Sequence, residues 1–443
     1  MKHILLLLGL SVACAASAQP MLSSEQPSAQ PSAPQSEVNR GSAALNASDL
    51  FAQYQPSIYQ IRVINQATGQ KTSIGSGFVV GDGSLLATNY HVVSDAVQKE
   101  NHSLRYVDHE DNEGKLTLLG VDVVHDLAIV KAEDSLGKPF EFAPIPAQGA
   151  ALYALGNPHD LGFIIIDGIN NGLLKKSAQA RILFSGSLNG GMSGGPTLNA
   201  RGDVVGVNVA FLSQGNDISF VIPAEHVEAL MAQVDTGKQD VNAAIAAQLA
   251  ADNQRYFVPH LDEQWENTVI GAFRVPLSMS DDVRCWDSSP TPDVDDLLGM
   301  ESVTCYNDRS TFISNDVTLG QFGYAYTHFY AREPLWPLRF YRLYSRYYSL
   351  NTQRRPQRDF DDISCEADFV RIADSLFKTT LCRQPSKQFI HEGEAVEDMR
   401  LIAAKIGDSQ QGFSIEIALN GVQSSLGKQV MTHMLQQIQR EQD

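Results

Sequence analysis

The stretch Gly190-Gly191-Met192-Ser193-Gly194-Gly195-Pro196 sets four glycines around a single serine. A loop so dense in glycine adopts backbone conformations closed to residues that carry a side chain. It can expose the serine hydroxyl while its own N–H groups converge on one point, forming a pocket for the oxyanion of a tetrahedral intermediate. Serine is a weak nucleophile until a base and an orienting acid stand beside it. Both residue types lie upstream: His91 in Ala87-Thr88-Asn89-Tyr90-His91-Val92-Val93, and Asp126 in His125-Asp126-Leu127-Ala128-Ile129-Val130. The fold must therefore bring together three segments that are far apart in sequence.

The chain has 443 residues, which favours two or three domains over one, and 43% apolar residues suffice to build them. A net charge of -18 argues against a nucleic-acid-binding surface. Lys2 and His3 precede the apolar run Ile4 to Ala13, and Ala16-Ser17-Ala18 follows it, so residues 1–18 read as a signal peptide. The run is too short to span a bilayer, and the mature chain is expected to carry no transmembrane segment. Cys14 after Ser11-Val12-Ala13 leaves lipoprotein anchoring as the minor alternative to periplasmic or secreted release. Cleavage after Ala18 leaves four cysteines, Cys285, Cys305, Cys365 and Cys382, and an even number in an exported chain favours disulfides. Residues 19–46, rich in Ser, Pro, Gln and Ala, read as a disordered linker.

Order is expected from about Ser48, the expected N-cap of a short helix. Ser57 to Val63, Ser76 to Val80 and Leu85 to Thr88 read as strands, as do Ser103 to Val107 and Lys115 to Leu119. The acidic stretch Asp108 to Glu113 between the last two reads as a solvated hairpin tip in preference to a metal loop. Short strands with regular turns continue to Ile222 and argue for a barrel or sandwich; Pro223 to Met231 then switches to helical spacing.

Residues from about Ala47 to Val234 resemble the protease domain of the HtrA/Deg family of chymotrypsin-like serine endopeptidases. The matching segments, in order, include Gly75-Ser76-Gly77-Phe78-Val79-Val80, Thr88-Asn89-Tyr90-His91-Val92-Val93, His125-Asp126-Leu127-Ala128-Ile129-Val130 and Leu155-Gly156-Asn157-Pro158. Met192-Ser193-Gly194-Gly195-Pro196, Gly206-Val207-Asn208 and Ser219-Phe220-Val221-Ile222-Pro223 follow. The order His, Asp, Ser is also that of this class. The resemblance implies two six-stranded antiparallel barrels, His91 as general base, Asp126 as its orienter and Ser193 as nucleophile. It implies an oxyanion hole from the N–H groups of Gly191 and Ser193, polypeptide substrates, and no metal or organic cofactor. Met192 stands where the family has a polar residue, which predicts altered subsite contacts, and the stretch from Asn157 to Ser193 is shorter than in many relatives. The uncharged Ser187, at the position resembling the pocket base, and Val209, Ala210, Phe211 and Leu212 on the wall predict cleavage after small or medium apolar residues. The alternative is a catalytically silent protease-fold protein that acts as a binding or chaperone-like module.

The expected fold class is thus mainly β, with a chymotrypsin-like double barrel over 47–236, a helical connector over 237–265 and an α+β C-terminal domain over 266–443. No glycine-rich carboxylate-binding loop of a PDZ domain follows Val234. Cys305 and Cys382 are each followed at the same offset by Phe-Ile, Phe312-Ile313 and Phe389-Ile390, which suggests two repeated halves and the local pairs Cys285–Cys305 and Cys365–Cys382. Arg339, Arg342 and Arg346 share a helix face beside tyrosines, and docking of the aromatic face with the arginines in water or ion-paired is favoured over a recognition surface for an anionic or peptide partner. The C-terminal domain is expected to position substrates or partners near the serine loop.

Overall fold

The computed structural model describes residues 45–209, 219–234, 240–349 and 355–441. The leader, nearly all of the linker, Ala210, Phe211 and Leu212 lie outside the described residues.

The described chain opens with α1 (Ala47–Tyr54), whose cap is Asn46 and not Ser48, because the Asn46 side chain accepts the Asp49 N–H at 3.0 Å. The first barrel follows: β1 (Ile58–Asn65), β2 (Lys71–Val80), β3 (Leu85–Thr88), the helix α2 (Tyr90–Gln98), β4 (His102–Val107), β5 (Glu113–Asp122) and β6 (Leu127–Ala132). The strands close in the order β1-β2-β3-β6-β5-β4, with β1 paired to both β2 and β4 so that no edge is left open. Ile61, Val63, Val79, Leu86 and Val130 fill the interior. At the acidic tip, Asp108 Oδ1 accepts the N–H groups of Glu110 and Asn112, and Glu113 pairs with Arg62 at 2.8 Å.

The second barrel comprises β7 (Ala151–Gly156), β8 (Ile164–Leu173), β9 (Ile182–Phe184), β10 (Pro196–Leu198), β11 (Val204–Val209) and β12 (Ser219–Pro223), closed in the order β10-β11-β12-β9-β8-β7. It has a small core of its own around Leu152, Phe184, Val205 and Val221. Residues of both barrels, among them Phe78, Ile129, Leu155, Val207 and Ile222, form a further cluster joined by Val227 and Leu230 of α3 (Glu225–Gln233).

Asp240 caps α4 (Val241–Phe257) by accepting the N–H groups of Asn242 and Ala243. Beyond it come β13 (Glu266–Ile270), β14 (Phe273–Ser278), β15 (Arg284–Asp287), β16 (Leu298–Tyr306), β17 (Thr311–Ser314), β18 (Val317–Leu319) and β19 (Phe322–Ala331). The chain ends with α5 (Pro337–Tyr344), β20 (Ser364–Ile372), β21 (Ser375–His391), β22 (Glu394–Lys405), β23 (Gln411–Gln423), α6 (Ser424–Gln436) and β24 (Gln439–Arg440). An antiparallel sheet in the order β15-β16-β19-β23-β22-β21-β20 dominates this region, with β17 and β18 as a separate hairpin. The molecule is mainly β, a double barrel followed by a C-terminal domain with helices on a sheet.

Both expected disulfides are present, Cys285–Cys305 and Cys365–Cys382, each with Cα atoms 4.0 Å apart. They join directly opposed residues of β15 and β16 and of β20 and β21, so each edge strand of the large sheet is tied to its neighbour. Phe312-Ile313 falls in the hairpin outside that sheet, whereas Phe389-Ile390 lies near the end of β21 within it. Phe340 and Tyr344 of α5 are buried, while Arg339, Arg342 and Arg346 are exposed.

The C-terminal domain has a core of its own around Phe273, Tyr326, Phe377, Ile415 and Met434, and it also shares one with the first barrel. One apolar cluster runs from Ile61 and Tyr90 of the first barrel through Ile245 and Leu249 of α4 to Ile313, Val317, Phe360 and Phe389. The helix bonds in the same direction: Gln248 donates to Val121 O at 2.7 Å and accepts the Val123 N–H at 2.9 Å.

Candidate active site

Thr88 ends β3, and His91 lies in the first turn of α2. Asp126 sits in the tight connection between β5 and β6 with φ +58°, a left-handed conformation that aspartate tolerates better than most residues. That backbone turn does two things. It aims the Asp126 carbonyl at α2, where it accepts from Asn89 Nδ2 at 2.9 Å and from Tyr90 N at 3.1 Å. It also turns the carboxylate to His91, with Oδ2 2.6 Å from Nδ1 and Oδ1 accepting the His91 N–H at 2.9 Å. The His91 side chain is 25% exposed and the Asp126 side chain 14%. Burial pushes the imidazole down, yet the charge of Asp126 and its hydrogen bond outweigh that and hold His91 above its ordinary value.

The serine loop joins β9 to β10 in the second barrel and is shaped by two glycines. Asn189 to Met192 forms a turn closed by Met192 N to Asn189 O at 3.0 Å, with Gly191 third at φ +96°. A turn of this kind needs a positive φ at its third position, hence glycine. Gly190 O accepts from His159 N at 3.0 Å, and Met192 O accepts from Gly195 N at 3.1 Å. The N–H and C=O of a trans peptide point opposite ways, so the N–H groups of Gly191 and Ser193 are directed away from those partners. Gly194 is required by proximity: a Cβ there would fall 2.2 Å from both Ser76 O and Thr88 Oγ1. This contact holds the residue after Ser193 against the end of β3, three residues before His91.

Two residues fix the loop that sequence reasoning did not single out as site residues. Asn208, fully buried on β11, donates through Nδ2 to Leu155 O at 2.8 Å, and its backbone exchanges bonds with Gly194 and Gly195 at 3.0 and 2.9 Å. Ser76 on β2 donates from Oγ to Gly191 O at 2.7 Å and from N to Ser193 O at 2.7 Å. Both stood inside recognisable segments, but neither carries a charge or a nucleophile to mark it. Arg181, just before β9, is a third addition. Burial pushes its guanidinium below the ordinary value, opposed by the charges of Asp126 and Asp308.

Of the pocket residues, Ser187 is exposed and Val209 is 2% exposed at the end of β11. Met192, expected to alter subsite contacts, is fully buried. Among the described residues no group of three or more His, Cys, Asp or Glu side chains could hold a metal ion.

Two closed six-stranded barrels with His91 and Asp126 on one and the serine loop on the other are the architecture of the chymotrypsin fold. Residues 75–207 match the trypsin-like peptidase domain, and this part of the chain is such a domain. HtrA-type proteins are similar to part of the chain. HhoA of Synechocystis sp., named as a serine protease, is 35% identical over 176 residues, covering 37% of this chain and 43% of HhoA. A DegP-like protein of Rhizobium meliloti, named as a periplasmic serine endoprotease, is 34% identical over 168 residues, covering 34% of this chain and 31% of its own length. The chain thus spans less than half the length of these curated relatives. A serine endoprotease of Yersinia pestis of known structure aligns with 43% of this chain and 67% of its own at 23% identity and a TM-score of 0.38.

Proposed function

We propose that the protein is an exported serine endopeptidase in which His91, Asp126 and Ser193 act together on polypeptide substrates. The observation that carries this reading is the pair of hydrogen bonds between the Asp126 carboxylate and His91, ring and backbone, beside a glycine-shaped serine loop. Asp126 holds the Nδ1–H tautomer, leaving Nε2 to take the Ser193 proton as the hydroxyl attacks the carbonyl carbon. The N–H groups of Gly191 and Ser193 receive the oxyanion, and His91 then gives its proton to the leaving amine. Water repeats the sequence to release the acyl group. The uncharged Ser187 and apolar Val209, with Ala210 and Phe211, favour a small or medium apolar residue before the cut bond.

Export to the periplasm, or beyond it, is supported by the leader-like N-terminus and by two disulfides, which persist in oxidising compartments. No helix among the described residues is long and apolar enough to cross a membrane. A fluorophosphonate should label the folded protein at Ser193, and Ser193→Ala should abolish the label. Absence of labelling in folded wild-type protein, with and without added peptide, would overturn the reading and favour the silent, chaperone-like alternative.

A further inference from the structure

The C-terminal hairpin reaches the candidate active site. Phe312 on β17 stands edge-on to the His91 ring, with centroids 6.1 Å apart and planes at 78°. Its neighbour Ile313 is buried in the core shared with the first barrel, and Ile313 O accepts from the buried Tyr90 hydroxyl at 3.1 Å. Tyr90 immediately precedes His91, so the hairpin is fastened to the helix that carries the base. Behind Phe312 lies a cavity of about 210 Å3, lined by Thr72 and Ser73 of β2, His91 and Ser94 of α2, and Phe312 and Asn315 of the hairpin. Asp95, also at its wall, is already paired with Lys99 at 2.7 Å.

The position of this cavity relative to the reaction can be argued from chemistry. The acyl half of the substrate is held on the second barrel, where Ser187 and Val209 lie. The leaving amine takes its proton from His91, so the residues after the cut bond depart along His91 on the opposite side. The cavity takes no residue from the second barrel and none from the connection that carries Asp126. It takes two from β2, the strand whose Ser76 N–H is bonded to Ser193 O. That is the leaving-group side of the nucleophile.

We propose that Phe312, supplied by the C-terminal domain, is a specificity-determining residue that forms the wall of a subsite for the substrate side chain just after the cut bond. The proposal rests on the endopeptidase reading above. Asp95 is already neutralised by Lys99, and the aromatic ring is the largest apolar group at the rim, so the subsite takes an aliphatic or aromatic side chain. A ring and a buried apolar partner offer contact area at little ordering cost. The C-terminal domain thereby acts on peptide selection directly and within the cleft.

The test uses the full chain and internally quenched peptides that share one apolar residue before the cut bond and carry Gly, Ala, Leu, Phe or Arg after it. Wild-type protein should cleave the Leu and Phe peptides with kcat/KM at least five-fold above the Gly peptide. Phe312→Ala should flatten that ratio, mainly through KM, while a second series varied before the cut bond keeps its order. Phe312→Leu should restore part of the ratio, and Phe312→Trp, which fills the cavity, should shift preference toward Gly and Ala. Should Phe312→Ala fail to fold, the Leu and Trp variants decide the matter. Identical profiles in wild type and the folded variants would overturn the subsite while leaving the protease reading intact. Failure of wild type to cleave any peptide or to take the fluorophosphonate would overturn both.

Discussion

The carboxylate of Asp126 holds His91 at two points, its ring through Nδ1 at 2.6 Å and its backbone N–H at 2.9 Å. One side chain thus fixes both the tautomer of the imidazole and the start of the helix that bears it. Replacing that carboxylate should disturb the chemistry before it disturbs the fold.

In the proposed mechanism His91 is the general base and must be neutral to act, and Asp126 holds it above its ordinary value in the folded protein. The rate kcat/KM should therefore rise with pH through an apparent pKa above 6.5, reaching a plateau on the alkaline side. Asp126→Asn should lower that midpoint and reduce kcat by about 10^4-fold through the wrong tautomer. A pH–rate profile of each protein checks both statements, and an acid optimum near pH 4 would contradict the assignment.

Gly191→Ala should damage the oxyanion turn selectively. The new Cβ would meet Asn157 O at 2.5 Å in a backbone at φ +96°. Loss of one oxyanion donor lowers kcat by roughly 10^2- to 10^3-fold. Single-turnover kinetics should show the loss in acylation, with the circular dichroism spectrum retained.

The buried pair Arg309–Asp252 locks α4 to the start of the hairpin segment, with the Arg309 guanidinium 4.2 Å above the Tyr256 ring. Arg309→Met leaves the buried Asp252 carboxylate with the largely exposed Arg255 as its remaining charged partner, and should cost less than the roughly 3–5 kcal/mol of a fully stranded buried charge in urea unfolding. Combining it with Asp252→Leu should recover most of that loss, because a well-packed apolar pair replaces two desolvated charges.

His226 makes stability depend on pH. Its ring stacks on His125 at 3.7 Å, and its Nε2 is buried with no hydrogen-bond partner among the described residues. Burial first, and then the charge of His125 and, to a lesser degree, Arg255, push it below its ordinary 6.5, against the pull of Asp122 and Glu225. The unfolded chain takes up a proton near pH 6.5 that the fold accepts only at lower pH, so stability falls as pH drops through that window. His226→Gln should narrow the difference in Tm between pH 8 and pH 5 relative to wild type.

The double barrel was legible because its strands alternate against a closed core and its turns carry glycine at fixed places. The short runs at 76–80 and 85–88 lie within β2 and β3. His91, Asp126 and the Ser193 loop could be picked out because their chemistry marks them in sequence. Asn208 and Ser76 could not, since a buried amide and a hydroxyl declare their role only through the carbonyls they meet. The disulfide partners were legible from local spacing, but Phe312 was not. Its importance comes from a pairing between Tyr90 and Ile313 that no local pattern encodes.

The bond from Tyr90 to Ile313 spans 223 positions of sequence. A ribosome adding 5–20 residues each second needs roughly 10–45 s to pass from one to the other. For that interval the nascent barrel carries His91 and then Ser193 with the Phe312 wall still unmade. On the proposed reading, the order of synthesis thus separates the birth of the base and the nucleophile from the completion of the cleft, whose selecting wall is laid down well after both.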